Sequence, residues 1–282
     1  MKDLKGKNAI LTGATGGLGR AMARTLAAEG VNLALAARTE APLAAMAEEL
    51  ASSGIRAVAV PADITDKASR TKLVEETRTE LGEIDILVNN AGMDLACHFT
   101  NLAPATIDRF VTTNLSAPML LTRLILPDMI RRGSGHVVTL ASLGGKKGSP
   151  GSATYSATKA GLIEWTSSIR SELRGTGVSA SVICPGFVSG AGMFATHNRR
   201  APKIVGETTP EKVAGAVVRA VKKDVQEIIV NPGPVMPLMI LNTIHPGIGN
   251  WMLRKFGVHD FYRLLAEDDE TRIREMEGES TV

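Results

Sequence analysis

Tyr155 and Lys159, in the run Tyr155-Ser156-Ala157-Thr158-Lys159, stand four residues apart in a stretch with helical patterning. At that spacing both side chains leave one face of a helix. A free phenol has a pKa of about 10, too high for ready proton exchange at neutral pH. An ammonium alongside favours the phenolate and lowers that value, which makes the pair an acid/base candidate. Ser142, thirteen residues ahead of Tyr155, offers a hydroxyl, and Asn114, in Thr113-Asn114-Leu115, a carboxamide.

A second group of residues suits phosphate. Thr12-Gly13-Ala14-Thr15-Gly16-Gly17-Leu18-Gly19 follows an apolar run and precedes a helical pattern. Glycines there let the chain turn sharply and let a pyrophosphate reach the N–H groups at a helix N-terminus. The second apolar run ends Leu35-Ala36-Ala37-Arg38-Thr39, with no acid before Glu40. A dinucleotide site that takes a free ribose 2′-hydroxyl has an acid about 20 residues after the glycines. Ala37 in that place, with the Arg38 guanidinium next to it, favours a 2′-phosphate, hence NADP(H) over NAD(H). Thr15 adds a hydroxyl to the same corner.

Alternating elements deliver these residues to one edge. Strands are predicted over 8–12, 31–36, 57–60, 84–89, 136–141, 179–184 and 227–230, and helices over 17–29, 42–52, 67–81, 153–174 and 210–222. Thr209 is the expected N-cap of the last helix. Helical patterning also fills 104–132, where Pro118 and Pro127 are expected to kink or split it. This rhythm makes βαβ units, and the unbroken apolar strands suit a parallel sheet covered on both faces. The fold class is α/β, a doubly wound parallel sheet of about seven strands with helices on both faces. Ligands then bind at the carboxyl edge, where Asn89-Asn90-Ala91-Gly92, Ser142 and Pro185-Gly186 end their strands.

In order and spacing these motifs resemble the short-chain dehydrogenase/reductase family in its single-domain Rossmann form, over about residues 5–231: the Thr12–Gly19 turn, Asp63 after the third strand, Asn89–Gly92, Asn114, Ser142, Tyr155–Lys159 and Pro185–Gly186. The resemblance implies a catalytic set of Asn114, Ser142, Tyr155 and Lys159. Tyr155 is then the general acid or base, and Ser142 orients the substrate carbonyl. Lys159 binds the nicotinamide ribose and lowers the Tyr155 pKa, and Asn114 holds a water linking Lys159 to solvent. It implies a cofactor surface of Gly13, Thr15, Gly17, Leu18, Gly19, Arg38, Asp63, Ile64, Asn90, Ala91, Gly92, Pro185, Gly186 and Val188, joined by Tyr155 and Lys159, with no metal. Two departures stand out. Gly190 occupies the place of a common threonine that meets the carboxamide, and Ser189 just before it could substitute after a small shift. A Gly-Gly motif after the last strand is replaced by Asn231-Pro232-Gly233-Pro234 and about fifty further residues. The second departure speaks against a tetramer and for a homodimer.

Composition limits the rest. A net charge of +3 over 282 residues, without a basic arm, argues against nucleic-acid binding. Cys97 and Cys184 form no disulfide framework or metal spacing, and no apolar signal stretch precedes the first strand, so a cytoplasmic protein is expected. Cys97 and His98 could line a substrate mouth, but a structural role is favoured for them, as for His136 and Cys184. Lys146 and Lys147 could meet an anionic substrate, but a solvated loop is favoured for them, and 189–206 is read as a mobile lid. Residues 232–265 form an apolar extension, uncharged from Asn231 to Leu253. Ordinary packing on the parent domain is favoured for it, ahead of a role as substrate lid or dimer contact, and peripheral membrane contact comes last. Residues 266–282 are read as a frayed acidic tail. The expected activity is interconversion of a ketone and a secondary alcohol, with a hydrophobic substrate of steroid, retinoid or long-chain acyl type. The alternatives are a cofactor-binding sensor with little turnover, and a sugar epimerase or dehydratase, which needs a larger substrate lobe.

Overall fold

In a computed structural model of the chain, all residues are described except 191–193, 195, 196, 198, 234 and 280–282, together with the side chains of 274–279. The chain alternates as expected: β1 (Asn8–Thr12), α1 (Gly17–Ala28), β2 (Asn32–Ala37), α2 (Glu40–Ala51), β3 (Ala57–Pro61), α3 (Lys67–Leu81) and β4 (Ile86–Asn89). Then come α4 (Pro104–Phe110), α5 (Ala117–Arg132), β5 (Gly135–Leu140), α6 (Ala153–Glu172) and β6 (Val178–Pro185). A short pair follows, β7 (Phe187–Val188) and β8 (Glu207–Thr208), then α7 (Pro210–Lys223) and β9 (Glu227–Val230). Three helices end the chain: α8 (Val235–Ile244), α9 (Pro246–Lys255) and α10 (Val258–Glu279).

Seven strands form one sheet in the order β3-β2-β1-β4-β5-β6-β9, and every pairing is parallel. Because both faces are covered, β1, β4 and β5 are buried along their whole length. On one face Met22, Leu26, Leu43, Val213 and Val217 pack from α1, α2 and α7; on the other Leu73, Leu121, Ile125 and Ile169 pack from α3, α5 and α6. The strand order reverses between β1 and β4, and a crevice opens beyond the carboxyl ends there. Thr209 caps α7 as expected, accepting from Lys212 N–H.

The 104–132 segment divides in an unforeseen way. Between α4 and α5 the chain widens into a π-helical turn, Val111–Ser116, and Pro118 opens α5. Pro118 has no N–H, so the carbonyl four residues back, that of Asn114, loses its α-helical donor, and the looser turn accommodates this. Pro127 sits inside α5 without ending it.

The frayed-tail expectation for 266–282 is corrected as far as the described residues reach. α10 continues to Glu279; Leu265 and Ala266 are buried with Phe261 against Ala96, and Asp269 and Glu270 accept the main-chain N–H groups of Ala96 and His98. The acids that read as a solvated run therefore tie α10 to the loop after β4. Among the described residues no helix is long and apolar enough to cross a membrane.

Candidate active site

One cavity of about 930 Å³ runs along the carboxyl edge of the sheet. Its floor at one end is the β1–α1 turn, where Gly13, Thr15, Gly17, Leu18 and Gly19 line it. Gly13 has a φ of +66°, and a Cβ there would press on the Ala91 backbone and the Asn90 side chain. A Cβ on Gly19 would collide with the Gly13 carbonyl oxygen, so this tight turn requires glycine at both places. Asn90 locks the turn to β4, donating from Nδ2 to the carbonyls of Thr12 (2.8 Å) and Gly13 (3.1 Å). Asn90, Ala91 and Gly92 line the same wall.

Arg38, Asp63 and Ile64 lie at the outer end, beside Ala37 and Thr39. Asp63 accepts from Thr65 N–H (2.9 Å) and the Thr65 hydroxyl (2.7 Å). Those bonds, with the Arg38 charge adding to them, hold its carboxyl below the ordinary value. Arg38 is exposed and carries no ion pair among the described residues.

Ser142, Tyr155 and Lys159 line the inner part of the cavity, with Pro185, Gly186 and Val188 opposite. Ser142 Oγ accepts from Gly144 N–H at 3.0 Å and stands in hydrogen-bonding reach of the Tyr155 phenol. Lys159 is buried; its Nζ donates to the Leu140 carbonyl at 2.9 Å and sits 5.7 Å from the Tyr155 ring centre. Burial lowers the Lys159 ammonium to about 8. The expected lowering of the Tyr155 phenol is not found. Burial pushes the phenol up, the Asp94 carboxylate adds to the rise, and only the Ser142 hydrogen bond opposes it.

Asn114 stands behind the cavity wall and is fully buried in the π-helical turn. Its side chain clamps both main-chain groups of Met93, accepting from the N–H at 2.8 Å and donating to the carbonyl at 2.9 Å.

Asp94, Arg109 and Phe187 face the cavity without a signal in the sequence; Lys147, Phe194, His197 and Tyr262 face it too, and Val235, Leu238, Met239, Asn242, Leu253 and Leu265 roof it from α8, α9 and α10. The two loop lysines part company: Lys147 lines the cavity, whereas Lys146 pairs with Glu227 at 2.6 Å. Ser189 directs both its N–H and its hydroxyl to the Thr208 carbonyl, so it does not replace the missing threonine. The lid expected over 189–206 lies partly outside the described residues; within it Phe194, His197 and Val205 line the cavity.

Cys97 and His98 bond to Glu270, and the Cys97 thiol, pushed up to about 11 by burial and this carboxylate, is no ready nucleophile. His136 is buried and bonds Ser181 Oγ at 2.8 Å, a structural place.

The glycine floor, where side chains would collide, and the outer corner with Arg38 and Asp63 form a cradle suited to a dinucleotide, and the Ser142–Tyr155–Lys159 group lies farther along it. A solved 7α-hydroxysteroid dehydrogenase, complexed with NADH and 7-oxo glycochenodeoxycholic acid, shares the fold with a TM-score of 0.76 and 24% identity, over 82% of this chain and 95% of that one. A ketoacyl reductase, HetN, of Nostoc sp. is 42% identical over 273 residues, 95% of each chain. The 3-oxoacyl-[acyl-carrier-protein] reductase FabG of Escherichia coli is 32% identical over 214 residues, 76% of this chain and 86% of its own. A family profile described as short chain dehydrogenase matches residues 7–202, the span that holds the glycine turn, Ser142, Tyr155 and Lys159, so the chain belongs to the short-chain dehydrogenase/reductase family of oxidoreductases.

Proposed function

We propose that this chain is an NADP(H)-preferring reductase that interconverts a ketone and a secondary alcohol on a substrate with an apolar body. The observation that carries the reading is the shared cavity, with Arg38 at its outer end, Ser142, Tyr155 and Lys159 within, and an apolar roof from α8 and α9. Gly13, Thr15, Gly17, Leu18, Gly19, Asp63, Ile64, Asn90, Ala91 and Gly92 would hold the adenosine and pyrophosphate half. Pro185, Gly186, Val188, Tyr155 and Lys159 would hold the nicotinamide half. When bound, the nicotinamide supplies or accepts the hydride, which no side chain can do.

The chain's own residues manage orientation and the proton. Ser142 hydrogen bonds the carbonyl oxygen and fixes it beside Tyr155. Because burial holds the phenol up, Tyr155 is protonated at neutral pH and donates its proton as the oxygen becomes an alkoxide. The phenolate so formed is stabilised by the Lys159 ammonium, charged below about 8. Asn114, whose carbonyl Pro118 frees from an α-helical bond, would hold the water through which Lys159 and Tyr155 recover the proton.

Of the substrates considered, a long-chain ketoacyl compound is favoured, because two relatives carry ketoacyl or oxoacyl reductase names. A homodimer is the proposed assembly, supported by Val111, Leu120 and Leu124, exposed on the π-helical turn and α5. The test is a turnover screen of acyl ketones and secondary alcohols with each cofactor. Ketone-dependent oxidation of NADPH with higher kcat/KM than of NADH is expected. Equal or better use of NADH would overturn the reading of Ala37 and Arg38, and no turnover with either would favour a cofactor-binding sensor.

A further inference from the structure

Asp94 lies two residues beyond Asn90-Ala91-Gly92, and its place is fixed, because Asn114 holds both main-chain groups of Met93 next to it. Its side chain is open to the cavity that Ser142, Tyr155 and Lys159 line, yet protein surrounds it closely enough that burial is the main influence on its carboxyl, raising it to about 6. The charged groups that act on it are Asp269 from α10 and Lys159 from α6, and it in turn raises the phenols of Tyr155 and Tyr262. Asp269 opposes ionisation of Asp94. Among the described residues Lys159 is the cation that favours ionisation, but its Nζ donates to Leu140 rather than to Asp94.

Among the described residues, Asp94 forms no ion pair, and the Leu95 N–H is its one hydrogen-bond donor. A carboxylate has about four acceptor sites. Its neighbours are better supplied: Asp269 accepts from Ala96 N–H and Arg272, and Glu270 accepts from His98 and Asn101. In the open cavity water can fill the remaining sites on Asp94. A purely apolar substrate would strip that water and leave a covered anion uncompensated, a costly outcome. A substrate that carries its own donor avoids the cost, since a hydrogen bond to a charged group is among the stronger ones.

We propose that Asp94 determines substrate specificity by accepting a hydrogen bond from a hydroxyl or ammonium group placed near the reacting carbonyl, and by disfavouring substrates with a carboxylate there. The substrate is thus a ketone with an apolar body and a donor group close to the carbonyl, such as a hydroxyketone or an aminoketone. This rests on the ketoreductase reading above and names the substrate class within it.

The test is a matched series of acyl ketones: one unsubstituted, and others with a hydroxyl, a primary amine or a carboxylate, one or two carbons from the carbonyl. kcat/KM is measured for the wild type, Asp94→Asn and Asp94→Leu, with cofactor binding by fluorescence as the check that each variant is folded. The wild type is expected to prefer a donor-bearing ketone over the unsubstituted one by roughly 10- to 100-fold, with the keto acid last. In Asp94→Leu that ratio should collapse or invert. Asp94→Asn keeps the shape without the charge, and should close the gap between amine and carboxylate analogues. A wild type that turns over ketones without this preference overturns the assignment to Asp94 and leaves the reductase reading standing. So does a preference that survives in both variants. No turnover of any ketone by the wild type overturns the reductase reading and the inference together. Whether the hydroxyl or the amine analogue is faster identifies which donor Asp94 receives.

Discussion

The chemistry proposed for Tyr155 depends on two opposing influences on one phenol. Burial and Asp94 hold its proton on, and the Ser142 hydrogen bond works the other way. On the proposed mechanism the resting enzyme has its acid loaded in the reductive direction, and Lys159 would act on the phenolate that forms. Tyr155→Phe keeps the ring and removes the proton, so turnover should fall by at least roughly 10²- to 10⁴-fold while the dissociation constant for cofactor barely changes. In the wild type, reductive kcat/KM should decline as pH rises through about 8, where the buried Lys159 loses its charge. Full activity in the phenylalanine variant would remove Tyr155 from the mechanism. These residues could be read from sequence because their spacing is tied to local structure: a helical i to i+4 pair, a strand end and a glycine turn. Asp94 could not be read that way. Two positions past a strand-end motif, an aspartate looks like a solvated loop residue, and the groups it interacts with come from α6 and α10, far away in sequence.

At the level of elements, the sheet and the helices that cover it were legible, with boundaries off by one or two residues. Apolar runs, glycine stops and proline starts act over short distances. The π-helical turn was not legible beyond the prolines, because the widening at Val111–Ser116 depends on how α4 and α5 meet around Asn114. The role of α10 was hidden for another reason: its acids find partners in a loop about 170 residues earlier. Glu270 shows how strong that tie is. Burial opposes its ionisation, but hydrogen bonds from His98 main chain and ring, Asn101 and Cys97 outweigh burial and hold it down to about 2. A carboxylate lowered in the folded state contributes stability above its ordinary value of 4.5, and loses it as pH falls through about 2. The clamp is thus fully present at neutral pH. Glu270→Ala should free the loop that carries Asp94 and Ala96, with faster amide exchange at 95–98 and a KM raised roughly 10-fold, more than kcat falls. Each lost hydrogen bond to a charged acceptor is worth about 1.5–3 kcal/mol, and a 10-fold change needs about 1.4 kcal/mol. Unchanged exchange in that loop would show that the clamp is not what holds it.

For the whole molecule, the question is what the last fifty residues do for the rest. α8 and α9 are two-sided. Leu238, Met239, Asn242 and Leu253 face the cavity, while Met236, Ile240, Ile244, Ile248 and Trp251 face outward, with Ile244 69% exposed. Helix patterning alone could not assign these faces, since the segment is apolar nearly all round and uncharged from Asn231 to Leu253. α10 then closes the inner end, with Tyr262 and Leu265 on the lining. Truncation after Asn231 would remove this roof and leave Phe187, Ala96 and the β7 edge uncovered. The truncated chain is expected to aggregate, or to stay soluble but lose kcat/KM on bulky acyl ketones far more than on small ones. A small ketone needs only Ser142, Tyr155 and the cofactor, whereas a long chain needs the apolar walls, each buried methylene contributing about 0.8 kcal/mol. Light scattering of the full-length chain in the same experiment should give twice the 29.8 kDa of one copy, in a cytosolic fraction free of detergent. Recovery mainly from detergent-extracted membranes would instead turn the outward face of α8 and α9 toward lipid, with Trp251, Arg254 and Lys255 at headgroup level. A truncated chain with full activity on every ketone would show that the roof contributes nothing to the site.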